Sequence, residues 1–265
     1  MKLPTFDDIA LEHIDQHVLL VTLNRPQARN AFTTQMGLDL HQLWSQLTAE
    51  PEQIRCVILT GAGDQAFCAG ADLKQRDGMS KEDWRRQHEI FERAFWSLAD
   101  LPLPVIAAVN GHAYAGGLEL VLCCDFAYAV TGARCALTEV TLGIIPGGGG
   151  TQHLPRAIGS RRAKEIIFTG RPFTTEQGYE WGLFNQLVEP GQAVDVALET
   201  ARRIAANAPL AVRQAKKSMR YGNQMDISSA YRFEIEAYNQ LVDTEDRREG
   251  IRAFNEKRRA DFTGR

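Results

Sequence analysis

The sequence predicts an α/β fold that ends in a helical region. Up to residue 188, short β-rich segments alternate with amphipathic or apolar helical segments. From about residue 191 onward, four helical segments follow one another without a strand between them. A length of 265 residues suits one large domain with an extension. We therefore expect a core of residues 1–195 and a C-terminal helical region of residues 196–265.

The composition is that of an ordinary globular protein and argues against several classes of function. Apolar residues make up 44% of the chain, and the net charge of −3 gives no bulk attraction to nucleic acid or acidic membranes. The acidic start has no signal-peptide pattern, and no run of 18 apolar residues occurs. Five cysteines, an odd number, indicate reduced thiols and a cytoplasmic location. The adjacent Cys123 and Cys124 have no second pair at metal spacing, so no metal site is expected.

The N-terminal third predicts a hairpin, a helix and a buried strand. Residues 9–24 are β-rich on either side of a turn at Asp15 and Gln16. An apolar stripe at helical spacing predicts a helix over Thr34–Ala49, and Cys56–Thr60 reads as a strand. The glycines after this strand fit part of a dinucleotide-binding fingerprint. No helix starts within that turn, however, so a nicotinamide site is disfavoured.

Residues 79–100 predict an amphipathic helix with Ser80 as its N-cap and Asp83 at the third position. Trp84 and His88 lie on its apolar side with Phe91. Such a stripe usually packs in a core, but Trp84 and His88 could also line a pocket.

The stretch from Val105 to Asp125 contains an acid in an unusual place. It predicts a strand over Val105–Val109, a tight glycine turn, and a helix that begins near Gly116. Glu119 falls in the first turn of that helix among apolar residues. A capping box needs a Ser or Thr three residues earlier, where this chain has Gly116. Glu119 is therefore either a simple cap at a solvated edge or in a pocket beside the free N–H groups of the helix start.

A second acid, Glu139, precedes four successive glycines at 147–150. The glycine run implies close approach of backbone to a ligand or to another segment, and it lacks the lysine of a phosphate-binding P-loop. Taken alone, Glu139 is as well explained by structure as by catalysis. Together, Glu119 and Glu139 suggest a paired-carboxylate site.

The remaining chain is predicted to turn helical at Arg156, with a short strand near Phe184–Val188. Further helices are expected at about 191–207, 209–221, 226–241 and 244–258. The basic residues between Arg213 and Arg220 are expected to form a solvated face.

Four segments in order resemble the crotonase superfamily, in its enoyl-CoA hydratase branch, and the resemblance covers essentially the whole chain. The segments are FCAGADLK at 67–74, NGHAYAGGLEL at 110–120, EVTLGIIPGGGGTQ at 139–152 and AFNEKR at 253–258. The resemblance implies a crotonase-type spiral of ββα repeats whose C-terminal helical region drives trimerisation. It also implies a homotrimer or a homohexamer built as a dimer of trimers. The partner is an acyl-CoA thioester, and no cofactor is expected because coenzyme A is part of the substrate.

The resemblance further implies a site and a reaction. The backbone N–H groups of Ala71 and Gly116 would form an oxyanion hole for the thioester carbonyl. Glu119 and Glu139 would hold one water, Glu119 helping to deprotonate it for attack at C3 and Glu139 delivering a proton to C2. Gly147 would contact the water or the acyl group. The product is a 3-hydroxyacyl-CoA, made reversibly from a trans-2-enoyl-CoA.

By the same resemblance, further residues would bind the rest of the substrate. Those expected along coenzyme A are Arg25, Ala28, Ala69, Asp72, Lys74, Phe254 and Lys257, the last two reaching across from a neighbouring subunit or acting within their own chain. Tyr114 would join Trp84 and His88 around the acyl group. One departure is visible, because Ala115 stands where the family commonly has the first of three glycines.

The segments GADLKQR and IIPGGGGTQ resemble those of the branch that contains 3-methylglutaconyl-CoA hydratases, one of which also binds RNA. Hydration of branched 3-methylglutaconyl-CoA and RNA binding are therefore the alternatives. The RNA-binding relative uses a lysine-bearing helix, whereas Thr34–Ala49 contains no Lys or Arg. Because binding to phosphates needs such charges, nucleic acid is an unlikely partner.

Overall fold

The computed structural model describes residues 4–51 and 53–265. The strands are β1 (Ile9–Asp15), β2 (Val18–Leu23), β3 (Cys56–Gly61), β4 (Ala66–Cys68), β5 (Val105–Val109), β6 (His112–Tyr114), β7 (Phe126–Val130), β8 (Arg134–Ala136), β9 (Phe173–Thr174) and β10 (Gln186–Val188). The α-helices are α1 (Thr34–Ala49), α2 (Leu73–Arg76), α3 (Lys81–Ala99), α4 (Gly116–Cys123), α5 (Gly150–Ile158), α6 (Ser160–Thr169), α7 (Thr175–Glu180), α8 (Ala193–Ala205), α9 (Pro209–Gly222), α10 (Ile227–Asn239) and α11 (Glu245–Asn255). Short 3-10 helices cover Pro26–Ala28 and Glu139–Leu142.

The strands form two sheets, and consecutive strands alternate between them over β3 to β8. The larger sheet has the order β1-β2-β3-β5-β7-β10 and the smaller one the order β4-β6-β8-β9. The pairs β3–β4, β5–β6 and β7–β8 each give their first strand to the larger sheet and their second to the smaller one, with parallel neighbours in both. Helical segments follow each pair. This arrangement confirms the α/β spiral of ββα repeats.

Most of the long elements agree with the sequence prediction. The hairpin of β1 and β2, helix α1 and strand β5 lie where they were expected. The Ser80 side chain accepts a hydrogen bond from the Asp83 amide and caps α3, as predicted. Two predictions need correction. The smaller sheet was not predicted, because its strands have only two or three residues, and α5 begins at Gly150 rather than near Arg156.

The core lies between the two sheets and against α1, α3 and α4, and its largest enclosed side chains include Trp44, Phe32 and Phe67. Helix α8 covers the other face of the larger sheet. Its buried residues recur every four positions and are all alanine (Ala193, Ala197, Ala201 and Ala205), so the helix approaches the sheet closely. The division expected between residues 195 and 196 falls inside this helix.

Helices α9 and α10 carry an exposed apolar surface, made by Met219, Tyr221, Ile227, Tyr231 and Tyr238. The expected solvated face on α9 needs correction at Lys216. Its side chain is 12% exposed, and its ammonium group pairs with Asp125 at 2.7 Å. The same group donates to the Leu103 carbonyl at 2.7 Å, because α9 packs beside the residues that precede β5 and β7. No helix within residues 4–51 and 53–265 is long and apolar enough to cross a membrane.

Candidate active site

Two backbone amides lie side by side where α4 begins. Ala71 forms a parallel bridge with Phe32, in which the hydrogen bonds use the carbonyl of Gly70 and the amide of Asp72. In a parallel bridge the N–H of the central residue points to the opposite side, so the Ala71 amide faces away from Phe32. Gly116 opens α4, and the first N–H groups of a helix have no intrahelical acceptor. A Cβ added to Gly116 would lie 3.9 Å from the Ala71 nitrogen, so the two backbone segments lie close together.

The start of α4 is fixed by close packing against β4. A Cβ added to Gly117 would lie 2.1 Å from the carbonyl oxygen of Cys68, a contact that no side chain can make. The absence of a side chain at Gly117 therefore lets the helix start rest on the end of β4. This contact holds the segment with Ala71 against the first turn of α4.

The turn before α4 stores backbone strain at Ala115. This residue has φ 50° and ψ −124°, a conformation that L-residues other than glycine rarely adopt. Holding a residue there costs on the order of 1–3 kcal/mol. The Ala115 amide donates to the Ala136 carbonyl at 2.8 Å, which helps to hold the turn. The structure therefore keeps the turn despite the alanine where the family commonly has glycine.

Glu119 is buried, with 4% of its surface exposed, and one carboxylate oxygen is held by the glycine run. The amides of Gly148 and Gly150 both donate to Oε1 at 2.8 Å. Burial raises the pKa of Glu119, and these two hydrogen bonds lower it in part. No side-chain cap is formed at this helix start, so the capping explanation for Glu119 is wrong. Its second oxygen, Oε2, makes no hydrogen bond to a described residue.

Glu139 is the other buried acid of the pair, and it forms no ion pair with a residue that the structure describes. It opens the 3-10 helix Glu139–Leu142 and is 6% exposed. Neither carboxylate oxygen has a hydrogen-bond partner among the other described residues. Burial, followed by the negative charge of Glu119, raises the pKa of Glu139 to about 7. Two acids with different surroundings, one held by amides and the other unpartnered, suit the acid and base of a proton-transfer reaction.

A pocket of about 460 Å³ opens next to the 3-10 helix that begins at Glu139, although neither Glu119 nor Glu139 is among its lining residues. It is lined by Leu73, Lys74, Arg76, Asp77, Trp84, Leu142 and Ile144. Trp84 and Lys74, both predicted as site residues, therefore share one cavity. His88 lies one turn further along α3 against Gly147, where a Cβ added to Gly147 would be 2.5 Å from the imidazole Cε1. Tyr114 lies in β6 and is not among the lining residues.

The residues expected along coenzyme A fall into two groups. In the first, the Arg25 guanidinium pairs with Asp72 at 3.0 Å and with Asp8 at 3.6 Å, so it is already neutralised within the chain. Ala28 ends a 3-10 helix nearby, and Ala69 is exposed on the segment that leads to Ala71. In the second group, Phe254 and Lys257 lie at the end of α11, and the single chain leaves both exposed.

Two features of the site were not predicted. The amides of Gly148 and Gly150 orient Glu119, and the run of four glycines was the available signal for such close backbone approach. The second feature is Arg76 in the pocket, which nothing in its local sequence distinguishes from a surface arginine.

Comparisons with known proteins find relatives along nearly the whole chain. A family model described as Enoyl-CoA hydratase/isomerase matches residues 13–265. A short-chain-enoyl-CoA hydratase of Clostridium acetobutylicum is 40% identical over 91% of this chain and 92% of its own length. A crotonyl-CoA hydratase of Syntrophomonas wolfei is 36% identical over 97% of this chain and 98% of its own. The crystal structure of an enoyl-CoA hydratase from Bacillus anthracis superposes with a TM-score of 0.95 and 43% identity, over 98% of this chain and 100% of that one.

Proposed function

The chain belongs to the enoyl-CoA hydratase/isomerase family, and on that premise we propose that it is a hydro-lyase acting on trans-2-enoyl-CoA. It adds water reversibly across the 2,3 double bond and gives a 3-hydroxyacyl-CoA. One observation carries the proposal: two buried acids, Glu119 and Glu139, interact electrostatically beside the free amides at the start of α4. Two relatives named for short-chain and crotonyl substrates support a short acyl chain.

In the proposed mechanism, the amides of Ala71 and Gly116 donate to the thioester carbonyl oxygen. Attack of water at C3 moves the electrons of the double bond onto this oxygen, which becomes an enolate. The two donors stabilise that charge more strongly than the neutral carbonyl. Loss of one such donor costs on the order of 3 kcal/mol of barrier. The helix start at Gly116 adds the positive end of the α4 dipole.

The two acids divide the proton transfers. Glu119, ionised and oriented by Gly148 and Gly150, removes a proton from the water through its free Oε2 as the hydroxyl bonds to C3. Glu139 has a pKa raised to about 7, so near neutrality it retains a substantial protonated population and delivers its proton to C2. Dehydration uses the same groups in reverse. Gly147, at the head of the glycine run, would contact the water or the acyl group.

The coenzyme A part is proposed to lie along Ala28, Ala69 and Lys74, with Arg25 and Asp72 holding this part of the surface in place through their ion pair.

The exposed apolar surface of α9 and α10 supports assembly through the C-terminal region into a homotrimer or homohexamer. Phe254, 83% exposed in one chain, would then reach a neighbouring subunit's coenzyme A together with Lys257. The cysteines in the described residues are free thiols, which supports a cytoplasmic location.

The alternatives receive less support. The relatives' names favour unbranched short-chain substrates over 3-methylglutaconyl-CoA. Helix α1 contains no Lys or Arg for phosphate contacts, which disfavours RNA binding by that route.

The proposal is tested with the purified protein and a series of trans-2-enoyl-CoA substrates of increasing chain length. Hydration removes the conjugated thioester, whose absorbance then falls. We expect hydration of crotonyl-CoA, with kcat/KM falling as the chain lengthens. Absence of hydration with every member of the series would refute the proposed function.

A further inference from the structure

Arg76 is a half-buried cation that pairs with no carboxylate among residues 4–51 and 53–265. Its Nε donates to Gln87 Oε1 at 2.8 Å, and its guanidinium carbon lies 4.3 Å from the centroid of the Trp84 ring. It makes no other hydrogen bond and no ion pair with any described residue. Burial lowers the pKa of Arg76, and no carboxylate offsets that cost. A guanidinium that stacks on an aromatic ring and keeps the edge of its two terminal nitrogens, Nη1 and Nη2, free is suited to bind a carboxylate in bidentate fashion.

The position of Arg76 relates it to the reacting end of the substrate. Helix α2, which ends at Arg76, begins two residues after the oxyanion donor Ala71. On the opposite wall, the Ile144 amide donates to the carbonyl of Glu139 at 3.2 Å. Both walls of the pocket therefore continue directly from groups assigned to the reaction. The pocket therefore adjoins the two segments that would hold the thioester in the proposed reaction.

The lining of the pocket decides which part of the substrate it accepts. Leu73, Trp84, Leu142 and Ile144 provide apolar walls that suit methylene groups. Among its charged residues, Lys74 and Asp77 are exposed and have opposite signs, which leaves Arg76 as the partly desolvated charge. A phosphate of coenzyme A is a poor occupant, because a strongly hydrated dianion would lie against these apolar walls.

We propose that Arg76 binds a carboxylate at the far end of the acyl group, so that this enzyme prefers short enoyl-CoA substrates carrying a distal carboxylate. The inference rests on the proposed function, since it concerns the acyl side of the same site. It makes Arg76 a determinant of specificity that acts on the end of the substrate away from the reacting atoms.

The test compares two substrates that differ only in this carboxylate. Crotonyl-CoA ends in a C4 methyl group, and trans-glutaconyl-CoA bears a carboxylate on C4. The measured quantity is the ratio of kcat/KM for glutaconyl-CoA to that for crotonyl-CoA. We expect the ratio to exceed one in the wild type and to fall roughly 10- to 100-fold in Arg76→Met, since a charged hydrogen-bonded partner is lost. Arg76→Lys keeps the charge without the planar fork and should lose less.

Controls separate this effect from general ones. Arg86 is exposed on α3 and pairs with Asp83 at 3.6 Å, so Arg86→Met removes the same charge outside the pocket and should leave the ratio unchanged. An unchanged ratio in Arg76→Met would overturn the inference. An equal rise in KM for both substrates would also overturn it, because that pattern indicates a contact with coenzyme A itself. If Arg76→Met does not fold, Arg76→Gln provides the same comparison.

A binding measurement distinguishes failure of this inference from failure of the proposed function. Glutaryl-CoA and butyryl-CoA are the saturated counterparts and do not react. Calorimetry should show tighter binding of glutaryl-CoA to the wild type and loss of that preference in Arg76→Met. If neither enoyl-CoA is hydrated while this preference is present, the proposed reaction is wrong and the carboxylate site stands. If hydration occurs without the preference, the carboxylate site is wrong and the reaction stands.

Discussion

The negative charge of Glu119 adds to the effect of burial on Glu139 and raises the pKa of that second acid to about 7. The two carboxyl groups differ in how they are held. Glu119 accepts two amide hydrogen bonds that favour its ionised form, whereas Glu139 receives none from other described residues. On this difference we assign Glu119 as the base and Glu139 as the acid.

A pH dependence of hydration follows from the raised pKa of Glu139. Because Glu139 must be protonated to donate to C2, kcat/KM for hydration should fall about tenfold per pH unit above about pH 7. Initial rates at low substrate concentration, between about pH 5 and pH 9, measure this limb. A flat profile to the alkaline end would contradict the assignment of Glu139 as the acid.

The same pKa makes stability depend on pH. The unfolded chain loses the Glu139 proton near 4.5 and the folded chain near 7, so the folded state binds more protons between these values. Stability from this group is complete below the lower value and is lost as pH rises through the higher one. The loss is about 3 kcal/mol, from about 1.4 kcal/mol per pH unit. Urea unfolding should show it in the wild type, and Glu139→Gln should lack it. Equal pH slopes in the two proteins would contradict the raised pKa.

Replacement of Ala115 by glycine should stabilise the chain. Glycine adopts φ 50° and ψ −124° without the clash of a Cβ, which removes strain of about 1–3 kcal/mol. The greater entropy of glycine in the unfolded chain offsets about 0.5–1 kcal/mol. A net gain of about 1 kcal/mol should appear in urea unfolding.

Gly70→Ala tests the segment after β4 that packs against this turn. Gly70 has φ 89°, and a Cβ there would lie 2.8 Å from that of Ala115. We expect a loss of at least about 2 kcal/mol together with lower kcat, since Ala71 is the next residue and its amide would move. If Ala115→Gly destabilises the protein, the strain assigned to this turn is absent.

Arg25 should contribute to stability through its two ion pairs, apart from its proposed place along coenzyme A. Arg25→Met leaves Asp72 and Asp8 without their shared cation in a half-buried setting, and we expect a loss of about 2 kcal/mol. Arg171→Met provides the control, because its pair with Glu165 at 3.0 Å is exposed and should be worth less than about 1 kcal/mol. Equal effects of both substitutions on urea unfolding would show that the Arg25 ion pairs stabilise the fold no more than an exposed pair does.

The long elements could be predicted because their signals are local. Helix α1 has an apolar stripe at helical spacing and a Thr33 side chain that accepts from the Met36 amide, so its bounds follow from the sequence. The smaller sheet could not be predicted in this way. Its strands, such as Ala66–Cys68, are too short to show a periodic pattern, and they form because β3 and β5 bring them together.

The site was predicted in part for a related reason. Glu119 and Glu139 were noticeable as acids among apolar residues, and the resemblance to a family suggested their pairing. The role of the Gly148 and Gly150 amides depends on contacts across about 30 residues, between Glu119 and the start of α5. Arg76 could not be predicted from its local sequence. What distinguishes it is that it is half-buried and pairs with no carboxylate among the described residues, which only the three-dimensional structure shows.

The central claim is that Glu119 and Glu139 together carry the proton transfers, and turnover of crotonyl-CoA by single amide variants tests it most directly. Glu119→Gln and Glu139→Gln keep the side-chain shape, and each should lower kcat on the order of 100- to 10,000-fold in protein that remains folded. Glu165→Gln, an exposed acid outside the site, should retain the wild-type rate. Full activity in either active-site variant would contradict the paired-acid account.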